Sequence, residues 1–114
     1  MSQAIQEFLK KNSSAGGIMA LAVQYPDKTS STQKCLGDLP DEALENAWRC
    51  VIEAVPVLKL NQFPTARFRW IYEQAVVHCE CRKDGTCLGI FAAKENGMFN
   101  ELELDRLVAE FHAA

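Results

Sequence analysis

The stretch His78-Cys79-Glu80-Cys81, followed by Cys87, concentrates the residue types that carry chemistry. Zinc wants four nitrogen or sulfur ligands, usually delivered from a turn with C-x-x-C spacing. Here the spacing is C-x-C on a strand-like segment, so alternation sends Cys79 and Cys81 to one face and His78 to the other. The next hairpin decides where Cys87 falls. A two-residue turn at Asp84-Gly85 pairs Arg82 with Cys87 and puts that thiol on the face opposite the other two. A three-residue loop instead brings Cys81 across from Cys87. Asp84-Gly85 is a strong two-residue turn signal, so the first register is expected. Metal ligation would need the second register and a fourth ligand besides. The remaining cysteines are Cys35 and Cys50. An odd number of cysteines and an N-terminus unlike a signal peptide argue against a disulfide framework. Reduced structural thiols are expected. The alternative is a redox or metal-binding protein using Cys79, Cys81 and Cys87.

Other chemistries leave fewer traces. The sequence contains no G-x-x-x-x-G-K-[ST] phosphate loop, and Gly16-Gly17 reads as a turn. It contains no G-x-S-x-G nucleophile motif. His112 falls at a helix end where a cation is mildly favoured, and a solvated role is expected for it. Glu101, Glu103 and Asp105 fall in a first helical turn and suit its dipole. Arg49 could reach a partner's nucleotide as an arginine finger, although a solvated or salt-bridged surface arginine is the plainer reading. No catalytic residue, cofactor site or metal site is therefore expected. A net charge of −3 removes the main driving force for binding nucleic acid. The longest apolar run, residues 18–23, is too short to span a bilayer, so a cytoplasmic protein without a membrane partner is expected.

Apolar spacing then places the elements. Ala4, Ile5, Phe8 and Leu9 recur at helical spacing and predict a short first helix. Residues 12–17 are loop-like, and the non-alternating strand 18–23 should be covered on both faces. Pro26-Asp27-Lys28 turns the chain into a more exposed partner strand over 29–36. Asp38 or Asp41 could cap a helix that starts near Pro40 and runs to about Leu58, with Pro56 expected to kink or end it. Asn61-Gln62-Phe63-Pro64 is a connector. Three strands follow at 67–72, 75–81 and 86–93, with a reversal near Glu73-Gln74, and Glu95-Asn96-Gly97 ends the sheet region. Asn100 and Glu103 suit a capping box for a last helix with Leu104, Leu107, Val108 and Phe111 as its stripe. This order predicts one α+β domain over residues 1–114, with five mostly antiparallel strands.

The long helix is more apolar than one core requires. With Leu44 as origin, Ala47, Trp48, Val51, Ala54, Val55 and Leu58 cluster about it, and Ile52, Cys50 and Val57 widen the patch. The arc is roughly 220°, whereas a one-sided core needs only about 100°. Either neighbouring loops cover the surplus or a second copy does, across a two-fold axis. The alternation of Phe68, Trp70 and Tyr72 puts three rings on one face of a strand that could lie at a sheet edge, where aromatic surface invites pairing. The expected dimer or partner surface is thus Leu44, Trp48, Val51, Ile52 and Val55 with Phe68, Trp70 and Tyr72.

Several stretches together resemble the roadblock family, named for a light chain of dynein. They are Ile5, Phe8 and Leu9 before the loop, Gly17-Ile18-Met19-Ala20-Leu21-Ala22-Val23 as first strand, the apolar helix 40–58, the three later strands and the closing helix 102–111. The resemblance covers nearly the whole chain. Many relatives have Asp-Gly at the first hairpin tip, where this chain has Pro26-Asp27-Lys28. The resemblance implies a roadblock/profilin-like sheet with the central helix on one face and both terminal helices on the other. It also implies dimerisation through the central helix and third strand. Prokaryotic members are commonly linked to small Ras-like GTPases as platforms or regulators, and eukaryotic relatives act in dynein and as GTPase scaffolds. A non-catalytic homodimeric scaffold or regulator of a small Ras-like GTPase is the function implied. A hetero-oligomer subunit unrelated to GTPases is a further possibility.

Overall fold

The computed structural model describes residues 3–13, 17–35, 40–62, 67–72, 75–93 and 101–114. Its elements are α1 (Gln3–Lys11), β1 (Ile18–Gln24), β2 (Ser30–Lys34), α2 (Asp41–Leu60), β3 (Arg67–Ile71), β4 (Ala75–Cys81), β5 (Cys87–Ala93) and α3 (Glu101–Ala113). The five strands form one sheet in the order β2-β1-β5-β4-β3, and every pairing is antiparallel. The expected reversal at Glu73-Gln74, the cap at Asn100, the end at Glu95-Asn96-Gly97 and the possible cap at Asp38 lie outside the described residues.

Burial divides the core by sheet face. On one side Ile5, Phe8 and Leu9 of α1 and Leu107 and Phe111 of α3 pack on Leu21, Val23, Leu88 and Ile90. On the other, Leu44, Trp48 and Val51 of α2 pack on Ala20, Ala22, Val77, Cys79 and Phe91. β1 and β5 are apolar on both faces because both are covered, as their non-alternating sequences require. The expected arrangement, α2 alone on one face and both terminal helices on the other, is the arrangement seen.

Two local expectations change. Pro56 does not end α2, which continues to Leu60. Proline there removes one backbone donor, but Val55 is buried and Leu58 half-buried on either side of it, and the helix persists through that turn. The start of α2 has Pro40 at the cap position with no side-chain hydrogen bond; Asp41 and Glu42 sit in the first turn and face the helix dipole.

The second change is the β4–β5 register. Cys81 pairs with Cys87, and Arg82 N–H donates to the Thr86 carbonyl at 2.8 Å, so the loop has three residues. A two-residue turn of the expected type needs positive φ at both Asp84 and Gly85, and only Gly85 has it, at 96°. Gly85 is instead the left-handed third residue of the loop. Asp84 holds the loop shut, accepting from the Thr86 N–H at 2.9 Å and from Arg82 at 2.6 Å. The β1–β2 tip repeats this geometry. Tyr25 pairs with Thr29, Asp27 accepts from the Thr29 N–H at 3.0 Å, and Lys28 takes the left-handed place with φ 75°.

Candidate interaction surface

α2 has two flanks, and they differ. Its fully buried residues are Leu44, Trp48, Val51 and Val55, a stripe roughly 60° wide that the chain's own sheet occupies. The stripe is narrow because β5 and β1 present Gly89, Ala20 and Ala22 beneath it, which lets the helix seat deeply. A Cβ on Gly89 would overlap the Trp48 ring, so only glycine at that point allows the contact. Trp48 then meets Phe91 edge-on, with ring centroids 6.4 Å apart.

On the flank toward β3 the apolar surface continues past the buried stripe. Ala47, Ala54 and Leu58 are half-buried, while Ala43, Cys50 and Val57 are exposed, Val57 at 58%. Across from them, Phe68, Trp70 and Tyr72 share the α2 face of β3 and are half-buried. Burial raises the Tyr72 phenol above its ordinary pKa, and the neighbouring Cys50 thiol adds to the rise, which joins the helix flank to the strand. Among the described residues β3 is an edge strand, paired with β4 alone. Helix flank and strand together present apolar and aromatic surface beside backbone groups of β3 that have no strand partner among the described residues.

Of the sequence-derived surface residues, the structure brings Phe68, Trp70 and Tyr72 together on this strip. It places Leu44, Trp48, Val51 and Val55 beneath it in the core, and Ile52 on the opposite flank. Cys50, Ala54 and Val57 belong to the apolar arc but not to the surface expected from sequence, and Cys50 and Val57 lie at the edge of that arc. The arc's centre belongs to the chain's own sheet, so surplus surface appears at its margin. The flank toward β2 is polar, with Glu45 and Arg49 exposed.

The three sheet thiols lie under α2, beside the aromatic rings. With the three-residue loop, Cys79, Cys81 and Cys87 all face α2, and the Cys81 and Cys87 sulfurs are 3.0 Å apart, both as free thiols. Hydrogen bonding to Cys79 pushes Cys81 up to about 12, and hydrogen bonding to Cys81 together with burial raises Cys87 further. Protonated thiols are weak nucleophiles and weak ligands. His78 faces the other side of the sheet, beside Arg69. Among the described residues no group of three His, Cys, Asp or Glu side chains is arranged to hold a metal ion.

His112 is not simply solvated. Its Nε2 lies 2.9 Å from Glu80 Oε1, and Arg67 donates to the other Glu80 oxygen at 2.9 Å. The buried Glu80 carboxylate thereby ties α3 to β3 and β4. No described helix is long and apolar enough to cross a membrane.

No family model matches the chain, and no curated protein does. Solved structures match over nearly its full length. MglB of Myxococcus xanthus is 9% identical with a TM-score of 0.64, over 99% of this chain and 90% of that one. The gliding protein MglB of Thermus thermophilus is 11% identical with a TM-score of 0.62, over 98% and 91%. A Roadblock/LC7 domain from Streptomyces avermitilis is 12% identical with a TM-score of 0.50, over 99% and 89%. With its five-stranded antiparallel sheet between one long helix and two terminal ones, this chain has a roadblock-like fold.

Proposed function

We propose that the chain is a single non-catalytic interaction module of 114 residues, acting in the cytoplasm as a homodimer that scaffolds or regulates a small Ras-like GTPase. The observation that carries the dimer is the strip formed by Cys50, Ala54 and Val57 with Phe68, Trp70 and Tyr72 beside the open edge of β3. An apolar patch continuous with an unpaired strand edge favours association. A two-fold operation would bury the strip against itself and cover both edges at once. The GTPase partner is supported by the roadblock-like fold and by the likeness to MglB gliding proteins. Specific interfaces of this kind bury on the order of 1,200–2,000 Å².

The partner is tested by titrating the purified chain into small Ras-like GTPases loaded with GDP or a GTP analogue. Saturable binding that depends on the loaded nucleotide, and that is lost in a folded monomeric variant, is the expected result. Absence of binding to any such GTPase would leave a self-associating module and remove the GTPase from the reading.

A further inference from the structure

The polar flank of α2 borders a cleft of about 320 Å³, between the helix and the β1–β2 hairpin. That volume lies at the small end of the range for ligand sites. Trp48 and Ile52 supply its apolar wall. Lys28 enters from the hairpin tip and Arg49 from the helix, with Ser30 and Thr32 along β2 between them. Glu45 is the one anion in the lining, so charge in the cleft is positive on balance.

Two features suit this cleft to negative charge. Neither Lys28 nor Arg49 makes an ion pair with a described residue, although Glu45 lies one turn from Arg49. Lys28 occupies a left-handed backbone position, φ 75°, where the matching loop at the other hairpin has Gly85. Glycine adopts that conformation freely and lysine does so at a cost. The chain therefore sets a cation at the mouth of the cleft against local preference.

We propose that the cleft binds a small organic oxyanion, a carboxylate or phosphate monoester whose apolar part lies against Trp48 and Ile52. Lys28 and Arg49 would neutralise the head group, the Ser30 and Thr32 hydroxyls would donate to it, and the guanidinium suits a planar or tetrahedral oxyanion bidentately. The site lies on the flank of α2 opposite the self-association strip. Its occupancy is therefore tested separately from the dimer.

The test is a nuclear magnetic resonance titration of the full chain with phenyl phosphate, benzoate and neutral benzyl alcohol. It follows the Trp48 indole N–H, with Trp70 on the far flank as internal control. Phenyl phosphate or benzoate should shift Trp48 saturably and leave Trp70 unmoved, and the tighter of the two identifies the head group. Benzyl alcohol should bind at least about tenfold more weakly, and Lys28→Gly and Arg49→Gln should each weaken the anion by about tenfold, as loss of a charged hydrogen bond predicts. Glycine suits the backbone at position 28, so that variant keeps its turn. No saturable shift up to about 10 mM with either anion would overturn the proposal. So would equal binding of benzyl alcohol, or binding unchanged in both variants.

Discussion

The two flanks of α2 rest on the same sheet face, yet they present opposite surfaces. Toward β3 the helix carries Cys50, Ala54 and Val57, and the strand on that side carries a row of aromatic rings. Toward β2 it shows Glu45 and Arg49 to hydroxyl-bearing Ser30 and Thr32. The two edge strands follow the same division. β3 reads Arg-Phe-Arg-Trp-Ile, with Phe68 and Trp70 turned to the helix, while β2 reads Ser-Ser-Thr-Gln-Lys, polar on both faces. A polar edge strand discourages pairing with another chain, and an aromatic one encourages it. One helix thus separates a surface suited to protein contact from a cleft suited to a solute.

The largest expected effect comes from placing a charge on one side of α2 or the other. Val51 is wholly buried and Val57 is not. Val51→Glu should cost about 3–5 kcal/mol, enough to unfold the chain in circular dichroism, because the carboxylate would have no partner in the core. Val57→Glu should change the stability of the monomer by no more than about 0.5 kcal/mol. If Val51→Glu stays folded and Val57→Glu does not, the flank and the core have been exchanged.

Next in size is the seat of the helix. Gly89→Ala should destabilise by about 1–3 kcal/mol in urea unfolding, since its methyl would overlap the Trp48 ring. Trp48→Leu in the same chain should restore part of that loss, which a non-additive double-mutant cycle would register. Smaller again are the hairpin tips. Lys28→Gly should stabilise by about 1 kcal/mol and Gly85→Lys should destabilise by a similar amount, both measured by thermal unfolding.

The smallest effect comes from the far face of the sheet. Burial, with Arg69 and Arg67 close by, lowers the pKa of His78 below its ordinary 6.5. The unfolded chain then binds the proton more readily than the folded one. The contribution is complete above pH 6.5 and is lost as pH falls from 6.5 toward the folded value. His78→Gln should flatten the stability profile in that window and leave self-association unchanged.

Much of this division is legible in the sequence, and the failures have physical causes. Periodicity locates each described helix, because Ile5, Phe8, Leu44, Val51, Leu107 and Phe111 recur at spacings that a helix turns to one side. The alternation of Phe68, Trp70 and Tyr72 likewise marks the β3 face. The thiol register does not emerge, because Asp-Gly suits two loop lengths, and the choice rests on Asp84's bonds to Arg82 and Thr86. The surface residues of α2 are displaced by one flank because a helical arc does not say which part its own sheet will take. That depends on Gly89, Ala20 and Ala22, distant in sequence and small enough for Trp48 to descend upon. The cleft at Lys28 and Arg49 joins a turn to a helix with no motif to connect them.

Self-association is tested by sedimentation equilibrium on the parent chain and Val57→Glu at matched micromolar concentrations. The parent should have twice the chain mass of 12.7 kDa. Val57→Glu should sediment as a folded single chain, with a dissociation constant raised at least about 100-fold. A parent that stays a single chain at high micromolar concentration would contradict the account, and so would a Val57→Glu variant that dimerises as tightly as the parent.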